Sequence, residues 1–185
     1  MRSVRGEERV EIRRLARTEL SLVGEIDRTE HIDLRYEQRG TELVKRPRDW
    51  SASAWDADAP GEHSVEAKRD ELEHYVEAGG TAFGAFVDGR LVGIGVVVPH
   101  LRPAVAQLAF LHVTRTRRAA GIGSRLSGEL EQVARAAGDS SMVVSATPSA
   151  NTVRFYQGRG FELMPRPLPE LFEREPEDVH MRKVL

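Results

Sequence analysis

Apolar residues occur in short runs along the chain, and two neighbouring runs predict its clearest structural unit. Residues 81–87 and 90–98 are rich in β-branched and apolar side chains and are joined by Asp88-Gly89, a dipeptide that favours the tight turn of a hairpin. The run Val96-Val97-Val98 is continuous rather than alternating, which indicates a strand covered on both faces. The pattern therefore predicts an antiparallel hairpin with a buried second strand.

Helical spacing of apolar residues predicts the longest helix. The stripe passes through Ile122, Leu126, Leu130 and Val133, and Gly138 is expected to end it. Weaker patterns predict strands at 10–15, 108–114, 142–146, 161–164 and 179–185, and helices at 18–26, 64–78 and 151–159. Residues 31–59 follow no clear period and are predicted as turns with short pieces of helix or strand.

The predicted order mixes an antiparallel hairpin with strand–helix–strand crossovers. Such an order implies an α/β fold of the mixed α+β kind, with helices on both faces of a mixed sheet, and it disfavours an all-parallel sheet. The length of 185 residues fits one domain spanning 1–185.

Composition excludes several classes of function. The 27 basic and 29 acidic residues give a net charge of −2, which disfavours general nucleic-acid binding. The chain has no cysteine, so thiol nucleophiles, disulfides and thiolate metal sites are excluded, and no other metal-binding spacing is present. The N-terminus is polar, and no apolar run reaches the roughly 18 residues of a membrane span, so we expect a cytoplasmic protein without a membrane partner.

A basic, glycine-containing turn begins the long helix. N–H groups at a helix N-terminus are unpaired and carry partial positive charge, so they suit phosphate oxygens, and Gly121 and Gly123 would let a ligand approach. Ser124-Arg125 is wrong for a Walker loop, and Leu126 stands where a dinucleotide fingerprint needs a third glycine. The third pattern, Arg/Gln-x-x-Gly-x-Gly/Ala after an apolar strand, is matched in full from Arg118.

With the elements around it, this turn resembles the GCN5-related N-acetyltransferase (GNAT) superfamily. The resemblance covers roughly residues 81–185. It rests on Leu111-His112-Val113, on Arg118-x-x-Gly121-x-Gly123, and on Asn151 followed by Phe155-Tyr156 and Gly160-Phe161. It implies a central mixed, mostly antiparallel, splayed sheet, with acetyl-CoA bound within residues 81–185 between the strands at 108–114 and 142–146. The acceptor side would be formed by helices and loops at about 25–78.

The resemblance also implies roles for individual residues. The backbone of Leu111 and Val113 would pair with the pantetheine arm, Asn151 would bond it, and Tyr156 would protonate the leaving thiolate, a role that suits a phenol. The pyrophosphate would be held by main-chain groups of Arg118, Ala119, Ala120, Gly121, Ile122, Gly123 and Ser124. Asn151 is also a good N-cap for its helix. Arg115 and Arg117 are candidates for the CoA 3′-phosphate, with a solvated turn as the alternative.

The general base is not identified by the sequence. His112 alternates with Leu111 and Val113, so we expect a structural histidine packed under the long helix, with a catalytic role as the alternative. The segment 25–31, at the end of the predicted helix 18–26, contains several acidic residues. Among them, Glu30 is favoured over Glu25 as a possible base because it is nearer the expected loop; both could equally lie on a solvated helix face. Trp50 and Trp55 could line the acceptor pocket or fix their loop to the core.

The function implied is direct transfer of an acetyl group from acetyl-CoA, as co-substrate and without a metal, to a primary amine of a small molecule or peptide. A non-catalytic acyl-CoA-binding regulatory module is the main alternative. A longer acyl donor and an acceptor on charged tRNA stay open, although the net charge disfavours the latter. A homodimer is plausible for this fold.

Overall fold

The computed structural model describes residues 9–185, which form nine strands and four α-helices within that range. In chain order these are β1 Glu11–Arg14, β2 Glu30–Arg39, β3 Glu42–Ala52, α1 Val65–Glu77, β4 Thr81–Val87, β5 Arg90–Arg102, β6 Val105–Val113, α2 Ile122–Ala137, β7 Ser141–Ala146, α3 Ala150–Gly158, β8 Glu162–Leu163, α4 Pro169–Arg174 and β9 Val179–Val184. Short 3₁₀ helices occupy Arg17–Glu25 and Arg115–Arg117.

Seven strands form one sheet in the order β1-β4-β5-β6-β7-β9-β8. Every pairing in it is antiparallel except that of β6 with β7. One buried cluster packs α2 and α3 against the sheet, and a second packs the first 3₁₀ helix and α1 against it. The mixed, mostly antiparallel sheet with helices on both faces is thus confirmed.

The hairpin formed by β4 and β5 is confirmed, but its second strand is longer than predicted. Asp88 and Gly89 both have positive φ, 49° and 77°, as the tight turn requires. The strand β5 continues through Pro99 and His100, past the predicted end at residue 98, because its far end pairs Arg102 with Val105 across another short turn.

The segment from 31 to 59 differs most from its prediction. It contains a long antiparallel hairpin, β2–β3, which forms a separate two-stranded sheet and turns at Gly40 with φ of 60°. Cross-strand ion pairs such as Glu37–Arg46 (2.7 Å) accompany its pairing, and Tyr36 N–H donates to the Pro148 carbonyl (2.8 Å). These contacts bring the hairpin against the loop before α3.

Two predicted helix starts also shift. The helix predicted at 18–26 is the 3₁₀ helix, preceded by Ala16 rather than capped by Thr18. The helix α3 is capped by Ser149, whose hydroxyl accepts from the N–H of Thr152 (3.2 Å), so Asn151 is not the N-cap. The side chain of Asn151 is consequently available for another role.

The helix α2 approaches the sheet closely at two glycines of β5. A Cβ at Gly93 would lie 3.0 Å from Leu126, and one at Gly95 would lie 2.9 Å from Leu130. The helix ends at Gly138, whose φ is 93°. This packing fixes where the N-terminus of α2 lies relative to the end of β6.

A buried carboxylate joins α2 to the C-terminal half of the chain. Glu131 accepts hydrogen bonds from Arg159 (2.8 Å), Lys183 (2.7 Å) and Ser127 (3.1 Å). Burial by itself raises the pKa of Glu131, but the bonds from Lys183 and Arg159 outweigh it and leave the pKa below its ordinary value.

We expect Glu131→Gln to destabilise the protein by about 1–3 kcal/mol at neutral pH, because two cations lose their charged partner. The difference in free energy of unfolding between the wild type and the variant should shrink as the pH falls through the lowered pKa of Glu131, because protonation of Glu131 removes the same negative charge. Urea unfolding at neutral and acidic pH measures both effects. Glu129→Gln, the same change on the same helix, is the control; equal stability of the two variants would contradict the prediction.

Candidate active site

A cleft opens where β6 and β7 separate. Their last paired residues are Gln107 and Val143, and beyond them both strands contribute to the walls of a cleft of about 950 Å³. Leu111 and Val113 line it from β6, as predicted for residues that meet an extended ligand. The backbone edges facing the cleft have no strand partner there, so they can pair with a ligand.

The turn before α2 presents unused N–H groups to one end of the cleft. Gly121 caps the helix with φ of 78°, and Ala119 also has positive φ, 63°. The N–H groups of residues 119–124 donate to no acceptor among the described residues. A Cβ at Gly121 would meet nothing within 4 Å, so this position faces open space. The turn therefore offers unpaired donors to an anion, and its role as the pyrophosphate site stays a prediction.

Gly123 lines the cleft, and it also has a packing role that the sequence did not predict. A Cβ there would lie 3.3 Å from the ring of Phe155, so the glycine permits close packing of α2 on α3. The side chain of Phe155 thereby stays close to the start of the helix and lines the cleft beside it.

Three predicted site residues meet directly across the cleft. The carboxylate of Glu30 accepts from Arg118 Nη1 (2.9 Å) with one oxygen and from Asn151 Nδ2 (3.0 Å) with the other. These bonds join the start of β2 to the turn before α2 and to α3. Glu30 thus lies in the cleft, but both of its oxygens already accept a hydrogen bond. Glu25 is placed elsewhere and accepts from the N–H of Leu91 (2.7 Å).

Tyr156 is buried at the cleft with 5% of its surface exposed. Its ring contacts those of Phe155 and Phe161 edge-on, with centroids 5.1 and 5.4 Å away. Its hydroxyl makes no hydrogen bond within the part of the chain that the structure describes. Burial, reinforced by the negative charge of Asp178, raises the pKa of Tyr156, so the phenol is neutral over the physiological range.

His112 lies on the opposite face from the one predicted. Leu111 and Val113 pack with the cluster of α2, whereas His112 contacts Phe110 and Trp55, with ring centroids 4.7 and 5.1 Å away, and lines the cleft. Desolvation, helped by nearby cations, lowers the pKa of His112 to about 3. The imidazole is therefore neutral and a weak proton acceptor.

The two tryptophans lie in different places, one in the cleft and one in the core. Trp50 is 40% exposed and lines the cleft from β3. Trp55 is buried in the core, where it stacks on Phe110. Of the two additional arginines considered, Arg117 lines the cleft, whereas Arg115 does not contribute to its wall.

An acidic wall was missed by the sequence reasoning. The segment between α4 and β9 places Glu175, Glu177 and Asp178 in the cleft, opposite Arg35 of β2. Burial and the neighbouring Glu175 raise the pKa of Asp178 to about 7 against the opposing effect of Arg35. The available signal was a run of acidic residues immediately before the last strand, which resembles an ordinary solvated loop.

The described residues contain no helix long and apolar enough to cross a membrane. They also contain no group of three or more acidic or histidine side chains arranged to hold a metal ion.

Solved structures with the same fold are numerous. One is nourseothricin acetyltransferase, with 18% identity, a TM-score of 0.70, and coverage of 95% of this chain and 98% of that one. A second is a Bacillus anthracis str. Ames protein assigned as a streptothricin acetyltransferase and solved with acetyl coenzyme A, with 16% identity, a TM-score of 0.69, and coverage of 96% and 99%. A third is the PaiA N-acetyltransferase of Thermoplasma acidophilum with coenzyme A, with 18% identity, a TM-score of 0.62, and coverage of 96% and 99%.

A comparison with curated protein sequences finds no match. The model of the acetyltransferase (GNAT) family matches residues 44–161, which is more than half of the chain. That span includes β6, the turn before α2, β7 and α3, the elements that build the cleft. The chain therefore belongs to the GNAT family, whose members are acetyltransferases that use acetyl-CoA.

Proposed function

We propose that this protein transfers the acetyl group of acetyl-CoA directly to a primary amine of a small molecule or peptide. The observation that carries the proposal is the arrangement of the cleft between β6 and β7. The turn with unused backbone donors, the acidic residues before β9 and the neutral side chain of Tyr156 all line this cleft.

The donor half of the cleft fits acetyl-CoA. The main-chain groups of residues 118–124 would hold its pyrophosphate, and the free backbone edge of Leu111 and Val113 would pair with its pantetheine arm. Asn151 would bond the same arm, exchanging its contact with Glu30 for one with the ligand. Bound here, acetyl-CoA supplies an activated acetyl thioester.

Tyr156 would act as the general acid for the leaving thiolate. A neutral phenol keeps its proton until negative charge develops nearby, and low exposure strengthens that interaction. The raised pKa prevents earlier loss of the proton to solvent.

The acceptor part of the cleft would include Glu175, Glu177, Asp178 and the aromatic side chain of Trp50. Arg35 and Lys68 line the cleft too and pair with Glu177 (3.2 Å) and Glu71 (2.8 Å). Carboxylates in a partly enclosed site attract an ammonium group, which supports an amine as the acceptor. Glu30 stays a candidate for the base; each of its oxygens accepts one hydrogen bond and keeps a further lone pair.

The direct test combines titration calorimetry with acetyl-CoA and a thiol-release assay against a panel of amines. The panel contains butane-1,4-diamine, a lysine-containing peptide and nourseothricin, the last chosen because a structural neighbour is named for it. Saturable binding with amine-dependent thiol release supports the proposal. Binding without release from any acceptor would favour a non-catalytic acyl-CoA-binding module, and no binding would contradict the donor site.

Gly121→Asp should abolish measurable acetyl-CoA binding, because the new carboxylate enters the open space where the pyrophosphate would lie. Aspartate tolerates a positive φ better than most residues, so the effect should come mainly from charge. Calorimetry compares it with Gly128→Asp, which adds the same charge further along α2 at another open position. Retained affinity in Gly121→Asp would overturn the assignment of the turn.

Tyr156→Phe should lower kcat about 100-fold and leave the affinity for acetyl-CoA nearly unchanged, because it removes a proton donor but keeps the ring and its packing. Steady-state thiol release gives kcat, and calorimetry gives the affinity. Tyr36→Phe, which removes a hydroxyl outside the cleft wall, should retain wild-type turnover. An undiminished kcat in Tyr156→Phe would exclude the residue from proton transfer.

A further inference from the structure

The three acidic residues before β9 are in different situations. Glu177 is largely exposed and forms an ion pair with Arg35 (3.2 Å). Glu175 is partly exposed, and its burial raises its pKa although the nearby Ser145 hydroxyl opposes that shift. Asp178 lines the cleft, and its carboxylate has neither a hydrogen bond nor an ion pair among the described residues. Its backbone is fixed, since its N–H donates to the Glu175 carbonyl (3.2 Å).

A second unpartnered polar group faces the same part of the cleft. The Tyr156 residue is 95% buried, and its hydroxyl lacks a partner among the described residues. Asp178 is close enough for its charge to contribute to the raised pKa of Tyr156. The hydroxyl and the carboxylate line the same cleft and lack a partner among the described residues, so a ligand with several donors could bind between them.

We propose that Asp178, beside Glu175 and near the Tyr156 hydroxyl, binds the ammonium group of the acceptor and takes its proton. This assignment rests on the proposed acetylation of an amine and names the group that prepares that amine for attack. Glu175 adds negative charge that favours a cationic acceptor over a neutral one.

The surroundings of Asp178 suit a base that works near neutral pH. The charged groups facing it are Glu175 and Glu177 from its own segment and Arg35 from β2; Tyr156 from α3 is neutral. Burial first, and then Glu175, raise the pKa of its carboxyl to about 7, so the carboxylate can take a proton and later release it.

The other candidates are less suited to this step. The pKa of His112 is lowered to about 3, which makes its neutral imidazole a poor acceptor. Glu30 already accepts hydrogen bonds from Arg118 and Asn151 on its two oxygens.

The step balances as follows. An N–H bond of the ammonium breaks, its proton passes to the Asp178 carboxylate, and the nitrogen regains its lone pair. That lone pair forms the bond to the acetyl carbon, and the electrons of the C–S bond pass to sulfur. Tyr156 gives its proton to sulfur and is restored by the second proton that leaves the nitrogen. Asp178 then releases the first proton to solvent.

The test is the pH profile of Asp178→Asn with the amines of the panel. We expect unchanged acetyl-CoA affinity, a fall of about 100-fold in kcat/KM at pH 7, and loss of the acid limb near pH 7 that the wild type should show. In the variant, the rate should rise with pH in step with the fraction of free amine. Glu173→Gln, an exposed change in the preceding helix α4, should keep the wild-type profile.

A carboxyl-carbon NMR titration of the wild-type protein gives an independent readout. Asp178 should titrate near pH 7, and a bound amine from the panel should lower its pKa, because an ammonium stabilises the carboxylate. This measurement also covers the case in which Asp178→Asn fails to fold. A titration near the ordinary range of aspartate, or an unchanged acid limb in a folded, active variant, would overturn the assignment alone. Failure of every amine to be acetylated would overturn the proposed function, and this assignment with it.

Discussion

The site depends on the separation of β6 from β7 after a short parallel pairing. Buried backbone N–H and C=O groups need hydrogen-bond partners, which in a sheet are the groups of the neighbouring strand. Where two neighbouring strands diverge, the facing edges lose these partners. Here the divergence begins at Gln107 and Val143, directly beside the residues that line the cleft. The fold therefore creates an edge whose free backbone groups a linear ligand such as a pantetheine arm can satisfy.

The packing of α2 places its N-terminus, with unpaired N–H groups, at the end of this edge. Because Gly93 and Gly95 allow the helix to lie close to β5, its N-terminus meets the end of β6. The positive φ values at Ala119 and Gly121 then turn the chain so that consecutive N–H groups are left without acceptors. The acidic residues before β9 line the same cleft, where Glu177 pairs with Arg35. The cleft thus combines carboxylates with backbone donors that suit an anion.

Short-range sequence patterns predicted the elements that form the acetyl-CoA side of the cleft. They did not predict the β2–β3 hairpin on the other side. The Asp88-Gly89 turn, the apolar stripe of α2 and the glycines before it are short-range features, and the elements that they predicted are present. The hairpin β2–β3 is held by cross-strand ion pairs and by a bond from Tyr36 to Pro148, distant in sequence. Its alternation at Ile32, Leu34 and Tyr36 is obscured by the charged residues between them.

The role proposed for Asp178 could not be predicted from the sequence for a related reason. In sequence it belongs to an acidic loop, where solvent would give it an ordinary pKa, and only the tertiary fold buries it beside Glu175. The same burial raises the pKa of Tyr156, so one low-dielectric environment acts on both groups. It leaves the phenol protonated, able to give a proton, and brings the carboxyl to a pKa at which it can take one. A pair of groups with such different pKa values is the arrangement that acid–base chemistry at neutral pH requires.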